Sequence, residues 1–179
     1  MTLSFSQKWG DKMGSLAGQP NYFIEKIWLS LLSDKEYCNQ IYDYEKRHVE
    51  LFDDYFETPD YGLESKLHTI REDKTNRWKA GNDIHFVINN RTKDRFQFAP
   101  IVKCKSVQNI EIKEMIMTAR PNCMIEDKIY TVKVDNKYLS ENEIDNLAIN
   151  DGFPDTKSFF RFFKNGFKGK IIHWTDLKY

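Results

Sequence analysis

The chain is short of the residues that would build a covalent or metal-held framework. Its three cysteines, Cys38, Cys104 and Cys123, lie far apart, with no Cys-x-x-Cys pair and no histidine at ligand spacing. That excludes a disulfide scaffold and a zinc-finger pattern, and nothing else implies a metal or a cofactor. No apolar run reaches membrane-span length, and the opening residues MTLSFSQKWGDK lack the apolar centre of a signal peptide. The expectation is a cytoplasmic protein with no membrane partner. Charge of one sign is missing too: 27 Lys and Arg balance 27 Asp and Glu. A long, non-specific phosphate track needs a basic excess, so balance leaves a pocket for one nucleotide or a local basic face. No internal repeat or low-complexity tract is visible, and no pattern sets the oligomeric state.

What is present is aromatic. Phe, Tyr and Trp make up 15% of the chain, with 13 Phe and 9 Tyr, against a hydrophobic fraction of 40%. At 179 residues this suffices for one domain whose core needs no staples.

Local patterns suggest the elements. Leu3 to Gln7 alternates as a short strand, and 11–20 reads as loop. Asn21 caps a helix with Phe23, Ile24, Ile27, Trp28, Leu31 and Leu32 on one side. Ser33 with Glu36 is a capping box opening a second helix to about His48. Strands are expected at Lys66–Arg71, Asp83–Asn89, Arg95–Cys104 (with an edge or bulge at Pro100), Val107–Lys113, Ile129–Val134 and Lys170–Trp174. Residues 114 to 127 read as irregular. Ser140 with Glu143 opens a helix to about Asn150, and Asp155 caps a last one carrying Phe159, Phe160, Phe162 and Phe163. Strands with interleaved helices suggest an α+β fold, a small twisted mixed β-barrel flanked by helices.

One stretch carries recognisable chemistry. Lys66-Leu67-His68-Thr69-Ile70-Arg71, then Trp78-Lys79-Ala80-Gly81-Asn82 before a strand, resembles the signature of the ASCH family: K-x-x-T-[IV]-R followed by a G-[DN] turn. The helix ending Ala148-Ile149-Asn150-Asp151-Gly152-Phe153 and the closing Ile171-Ile172-His173-Trp174 are similar to the family's C-terminal part. The resemblance spans most of the chain as one domain, with residues 33 to 62 and about 114 to 128 as insertions. It implies a PUA-like barrel whose cleft takes RNA or a nucleotide. In the branch that removes acyl groups from acetylcytidine, a Lys, a Thr and a Glu carry catalysis. Lys and Thr fall on Lys66 and Thr69, and the Glu falls on Asp151, one methylene shorter.

These residue types make chemical sense together. A threonine hydroxyl attacks only when a base takes its proton, and a buried lysine with a depressed pKa can be that base. Asp151 would hold or deliver the proton. Because Lys66 and Thr69 are three apart, a regular strand would point them to opposite faces. The pairing therefore predicts a bend at Leu67-His68. Arg71 suits bidentate contact with phosphate or a base edge, or an ion pair with Glu72, Asp73 or Asp151. His68, Trp78 and Lys79 complete the candidate substrate-binding set; core packing is the competing role for Trp78. The functional expectations are a module binding RNA or a nucleotide, an amidohydrolase or ribonuclease using Lys66, Thr69 and Asp151, and a protein-interaction or inhibitor module using the acidic, aromatic segment 49–61.

Overall fold

The computed structural model describes residues 1–56, 62–118 and 126–179, with side chains throughout these except at 116–118 and 126–128. The described residues form two sheets and five α-helices. In the first sheet, β1 (Thr2–Ser4) runs parallel to β3 (Asp83–Ile88), which pairs antiparallel with β4 (Phe96–Gln97) and β5 (Val102–Lys103). The second sheet is wholly antiparallel. Its order is β2 (His68–Arg71), β9 (Phe167–His173), β6 (Ser106–Thr118), β7 (Glu126–Val134), β8 (Lys137–Tyr138). The fold is therefore α+β as expected. Among the described residues no continuous ladder closes the two sheets into the barrel that the sequence suggested.

Side-chain alternation along β9 divides the core in two. Ile172 faces the first sheet, where Leu3, Phe5, Trp28, Phe86, Phe98 and Trp174 pack with α1 (Phe23–Leu31). Ile171 faces the other way, toward Ile110, Ile112, Val132, Phe153 and Phe159 beneath α4 (Glu141–Asn150) and α5 (Thr156–Phe162). Two buried indoles are satisfied: Trp28 Nε1 donates to the Phe98 carbonyl at 2.9 Å, and Trp174 Nε1 to Ser30 Oγ at 2.9 Å.

Local signals hold where they are self-contained. The Ser140–Glu143 capping box is formed and Asp155 Oδ1 accepts the Ser158 N–H at 2.6 Å; at α1 the N-cap is Tyr22, and Asn21, one residue earlier, accepts the Phe23 N–H on Oδ1 at 3.0 Å. The second helix differs. Asp34, not Ser33, caps a single turn, α2 (Lys35–Cys38), and the chain breaks at Asn39-Gln40 before α3 (Ile41–Phe52). Ser33 Oγ instead donates back to the Ser30 carbonyl, a competing local bond. Asp11–Leu16 is a 3-10 turn, not loop throughout.

Two strand expectations also change. The run Arg95–Cys104 is cut to two-residue strands on either side of Ala99-Pro100-Ile101, since proline cannot donate to a ladder. Residues expected to be irregular extend the β6–β7 hairpin to the pair Thr118–Glu126, well past Ile112, the last β6 residue paired with β9. Residues 119–125, with Cys123, lie outside the described residues.

Candidate functional site

The site sits where the two cores meet, on the free edge of β2. Residues 66 and 67 are strung between two helices: the Lys66 N–H donates to the Lys26 carbonyl of α1 at 2.9 Å. The Leu67 N–H donates to the Asn150 carbonyl of α4 at 2.8 Å. Strand geometry begins only at His68. Lys66 therefore lies before the strand, outside its alternation, and shares a cavity with Thr69.

Asp151 arrives from the end of α4. The turn there depends on Gly152, whose φ of +88° is the left-handed region that favours glycine. A Cβ at Gly152 would meet Phe23 Cε1 at 2.9 Å and Lys66 Cδ at 3.3 Å. Backbone handedness and close packing thus both demand glycine. The turn drives the Asp151 carboxylate into the protein, where Oδ1 lies 2.5 Å from Lys66 Nζ and accepts the free-edge N–H of Ile70 at 3.3 Å. Lys66 Nζ also donates to the Asp151 main-chain carbonyl. Both side chains are buried.

Burial dominates the electrostatics. It pulls the Lys66 ammonium down to about 8, although Asp151 opposes the shift; Arg71 and Lys26 push it the same way as burial. Burial likewise raises the Asp151 carboxyl, against the pull of Lys66, Arg71 and the Ile70 N–H. Each partner is moved toward its neutral form, so the pair holds its charges weakly. That condition makes a proton easy to relocate.

Lys66, Thr69, Arg71 and Asp151 line one small cavity with Phe5, Phe23, Ile70, Phe153, Phe162 and Phe163. Its volume of about 20 Å³ admits one water molecule. Lys66 Nζ lies 4.9 Å from the Phe23 ring centroid, and the Arg71 guanidinium 5.0 Å from that of Phe5. Arg71 Nη2 donates to the Ser4 carbonyl at 3.0 Å, which ties the site to β1. No ion pair joins Arg71 to Glu72 or Asp73 among the described residues, although Asp151 acts on it electrostatically. Thr69 is buried, and the hydrogen bonds of Lys66 Nζ go to Asp151 and not to the Thr69 hydroxyl.

Other expected site residues lie elsewhere. Trp78 is buried in the core of the first sheet, so packing claims the ring, and its main-chain N–H donates to Asp73 Oδ2 at 2.8 Å. Lys79 sits in the exposed turn closed by Asn82 Oδ1. His68 does not line the cavity; it points behind the strand, where Nε2 lies 2.8 Å from the Tyr179 hydroxyl. In the segment 49–61, residues 49–52 end α3, Leu51 and Tyr55 are exposed and Phe56 is buried, while 57–61 lie outside the described residues.

Two groups escaped the sequence reading. Phe23 forms a wall of the cavity and also borders a second cavity of about 240 Å³, with Gln7, Tyr22, His48 and Tyr55 among its lining. Tyr179 reaches His68 from 111 residues away. No local spacing signals either one. Among the described residues, no group of three or more His, Cys, Asp or Glu is arranged to hold a metal ion, and no helix is long and apolar enough to cross a membrane.

Comparison of the chain with protein-family models, with curated proteins and with solved structures finds no match. The site is therefore interpreted from its own chemistry.

Proposed function

We propose that the chain is an ASCH-type, PUA-like protein that binds a nucleotide, or a base presented by RNA, at the Lys66–Thr69–Arg71–Asp151 cavity. The observation that carries this reading is convergence. Residues from the β2 edge and from the end of α4 bring an amine, a hydroxyl, a guanidinium and a carboxylate onto one aromatic-walled pocket. Such a pocket offers donors and acceptors to a base edge, with Arg71 at hand for a phosphate. Ligand pockets usually span roughly 300–1,000 Å³, so binding requires the cavity to enlarge. Displacing the Phe23 ring would join it to the neighbouring space of about 240 Å³.

A second reading, an amidohydrolase acting on an acylated cytidine, draws support from the Lys66–Asp151 pair. In that reaction Lys66, once neutral, takes the Thr69 proton as Oγ bonds to the acyl carbon. The C–N bond breaks, the leaving amine collects the proton that Asp151 has taken over from Lys66, and water then releases the acyl group as a carboxylic acid. The Thr69 hydroxyl must move into reach of Lys66 for this to happen.

Titration of the protein with nucleosides, nucleotides and short single-stranded RNA tests the first reading; flat titrations throughout would sink it. Incubation with acetylcytidine, followed by chromatography for cytidine, tests the second. Turnover that is abolished in Lys66→Ala and Thr69→Ala is the expected result, and no turnover by the wild type rejects it.

A further inference from the structure

Behind β2 the Asp151 carboxylate faces a second donor. His68 and His173 are directly paired across β2 and β9, both buried, with ring centroids 5.2 Å apart. Asn150 Nδ2 donates to the Tyr179 hydroxyl oxygen at 3.0 Å. An amide nitrogen can only donate, so the tyrosine proton is free for its other partner, His68 Nε2, at 2.8 Å. That makes Nε2 an acceptor and puts the imidazole proton on Nδ1. Nδ1 has no hydrogen-bond partner and lies 3.8 Å from Asp151 Oδ1. Tyr179 is itself fixed by its main chain: its N–H donates to Gln108 Oε1 at 3.0 Å, and its carbonyl accepts from Gln108 Nε2 at 2.9 Å.

We propose that His68 is a positioning residue for Asp151, a standby donor whose Nδ1–H takes over the carboxylate when Lys66 gives up its proton or turns to a ligand, and that Tyr179 sets its tautomer. The inference rests on the reading of the cavity as a working site. Its physical basis is the cost of a buried carboxylate without a partner. With Lys66 neutral, Asp151 loses its cation; with Lys66 engaged elsewhere, it keeps only the Ile70 N–H at 3.3 Å. A movement of under one ångström brings His68 Nδ1 from 3.8 Å into hydrogen-bond range, near 3 Å. Asp151 then passes between two donors without leaving the interior.

The charged and titratable groups around this relay are few. Lys66 faces Asp151, Arg71 and Lys26; Asp151 faces Lys66 and Arg71; His68 faces His173, Lys66 and Tyr179; Lys178 and Asp135 act on His173. Burial and the neighbouring cations hold both imidazoles neutral at physiological pH.

The experiment reads the free protein by nuclear magnetic resonance. With 15N-labelled histidine, wild-type His68 is expected in the Nδ1–H tautomer at neutral pH, and Tyr179→Phe is expected to release a mixture of tautomers. A wild-type Nε2–H tautomer, or a Tyr179→Phe spectrum identical to wild type, overturns the proposal. With 15N-labelled lysine, the Lys66 titration midpoint is compared in His68→Asn, whose amide nitrogen replaces Nδ1, and His68→Gln, whose amide lies toward Nε2. The Asn variant should keep the wild-type midpoint. The Gln variant should raise it by roughly half a unit to one unit, the effect of one hydrogen bond on the shared carboxylate oxygen. Equal midpoints in all three proteins overturn it. Should either variant fail to fold, the wild-type and Tyr179→Phe tautomers still decide. None of these measurements uses a nucleotide. Flat ligand titrations beside the expected spectra would reject only the functional reading, and the reverse result would reject only the relay.

Discussion

Lys66 Nζ and Asp151 Oδ1 lie 2.5 Å apart although 85 residues separate them in sequence, and both groups are buried. An ion pair in that setting stabilises little against hydrophobic neighbours but is costly to break from one side. Lys66→Met is therefore expected to destabilise the protein by about 3–5 kcal/mol, because it leaves a buried negative charge without its cation, which a neutral His68 donor does not replace. The double variant Lys66→Met/Asp151→Leu should cost less than Lys66→Met alone. Urea unfolding of the two variants checks this; a double variant worse than the single would show that the pair itself is a net source of stability.

The histidine pair predicts acid sensitivity. Burial lowers the His173 imidazole from 6.5 to about 4 and lowers His68 as well. Between those values the unfolded chain binds a proton that the native state refuses, so stability rises with pH and is lost as pH falls from 6.5 toward 4. For His173 alone the loss amounts to roughly 3 kcal/mol. Asp151, whose carboxyl is raised, contributes with the opposite sign, so the variant comparison isolates the histidine. His173→Phe should flatten the stability profile between pH 7 and pH 4.5, measured by urea melts at both.

Gly152 should not tolerate a side chain. Its positive φ and the 2.9 Å approach to Phe23 Cε1 make Gly152→Ala cost on the order of 1–3 kcal/mol. The same change pushes the Phe23 ring and should alter ligand affinity by displacing the cavity wall. Gly10→Ala, with nothing within 4 Å of the added carbon, is the control and should leave both properties near wild type.

Trp78 and Lys79, neighbours in sequence, should part company on mutation. Trp78→Ala opens the core of the first sheet and should cost about 3–5 kcal/mol with the ring 6% exposed. Lys79→Ala, on an exposed turn outside the cavity, should change stability by less than about 0.5 kcal/mol and, under the proposed function, leave nucleotide binding unchanged. Loss of binding in folded Lys79→Ala would place the ligand over that turn instead.

Much of the chain was legible from local rules. The capping box at Ser140–Glu143, the Asp155 cap and the α1 face of Ile24, Ile27, Trp28 and Leu31 depend on neighbours within a few residues. Errors fell where distant partners decide. The β6–β7 hairpin continues to Thr118 because the facing strand supplies its hydrogen bonds, a gain that no single-strand pattern displays. Asp34 displaced Ser33 as a cap because both can bond locally and only the packed chain selects one.

The candidate site divides in the same way. Sequence by itself singled out Lys66, Thr69, Arg71 and Asp151 only through the resemblance to the ASCH pattern; side-chain parity, a local property, added that Lys66 and Thr69 could pair only across a bend before His68. Tertiary structure alone decided the rest: that Lys66 bonds Asp151 and not Thr69, that Trp78 serves the core, and that His68 turns away from the cavity toward Tyr179. The physical reason is desolvation. Once burial removes water from these groups, each must find a partner inside the fold, and which partner lies in reach is fixed by how the two sheets and α4 pack.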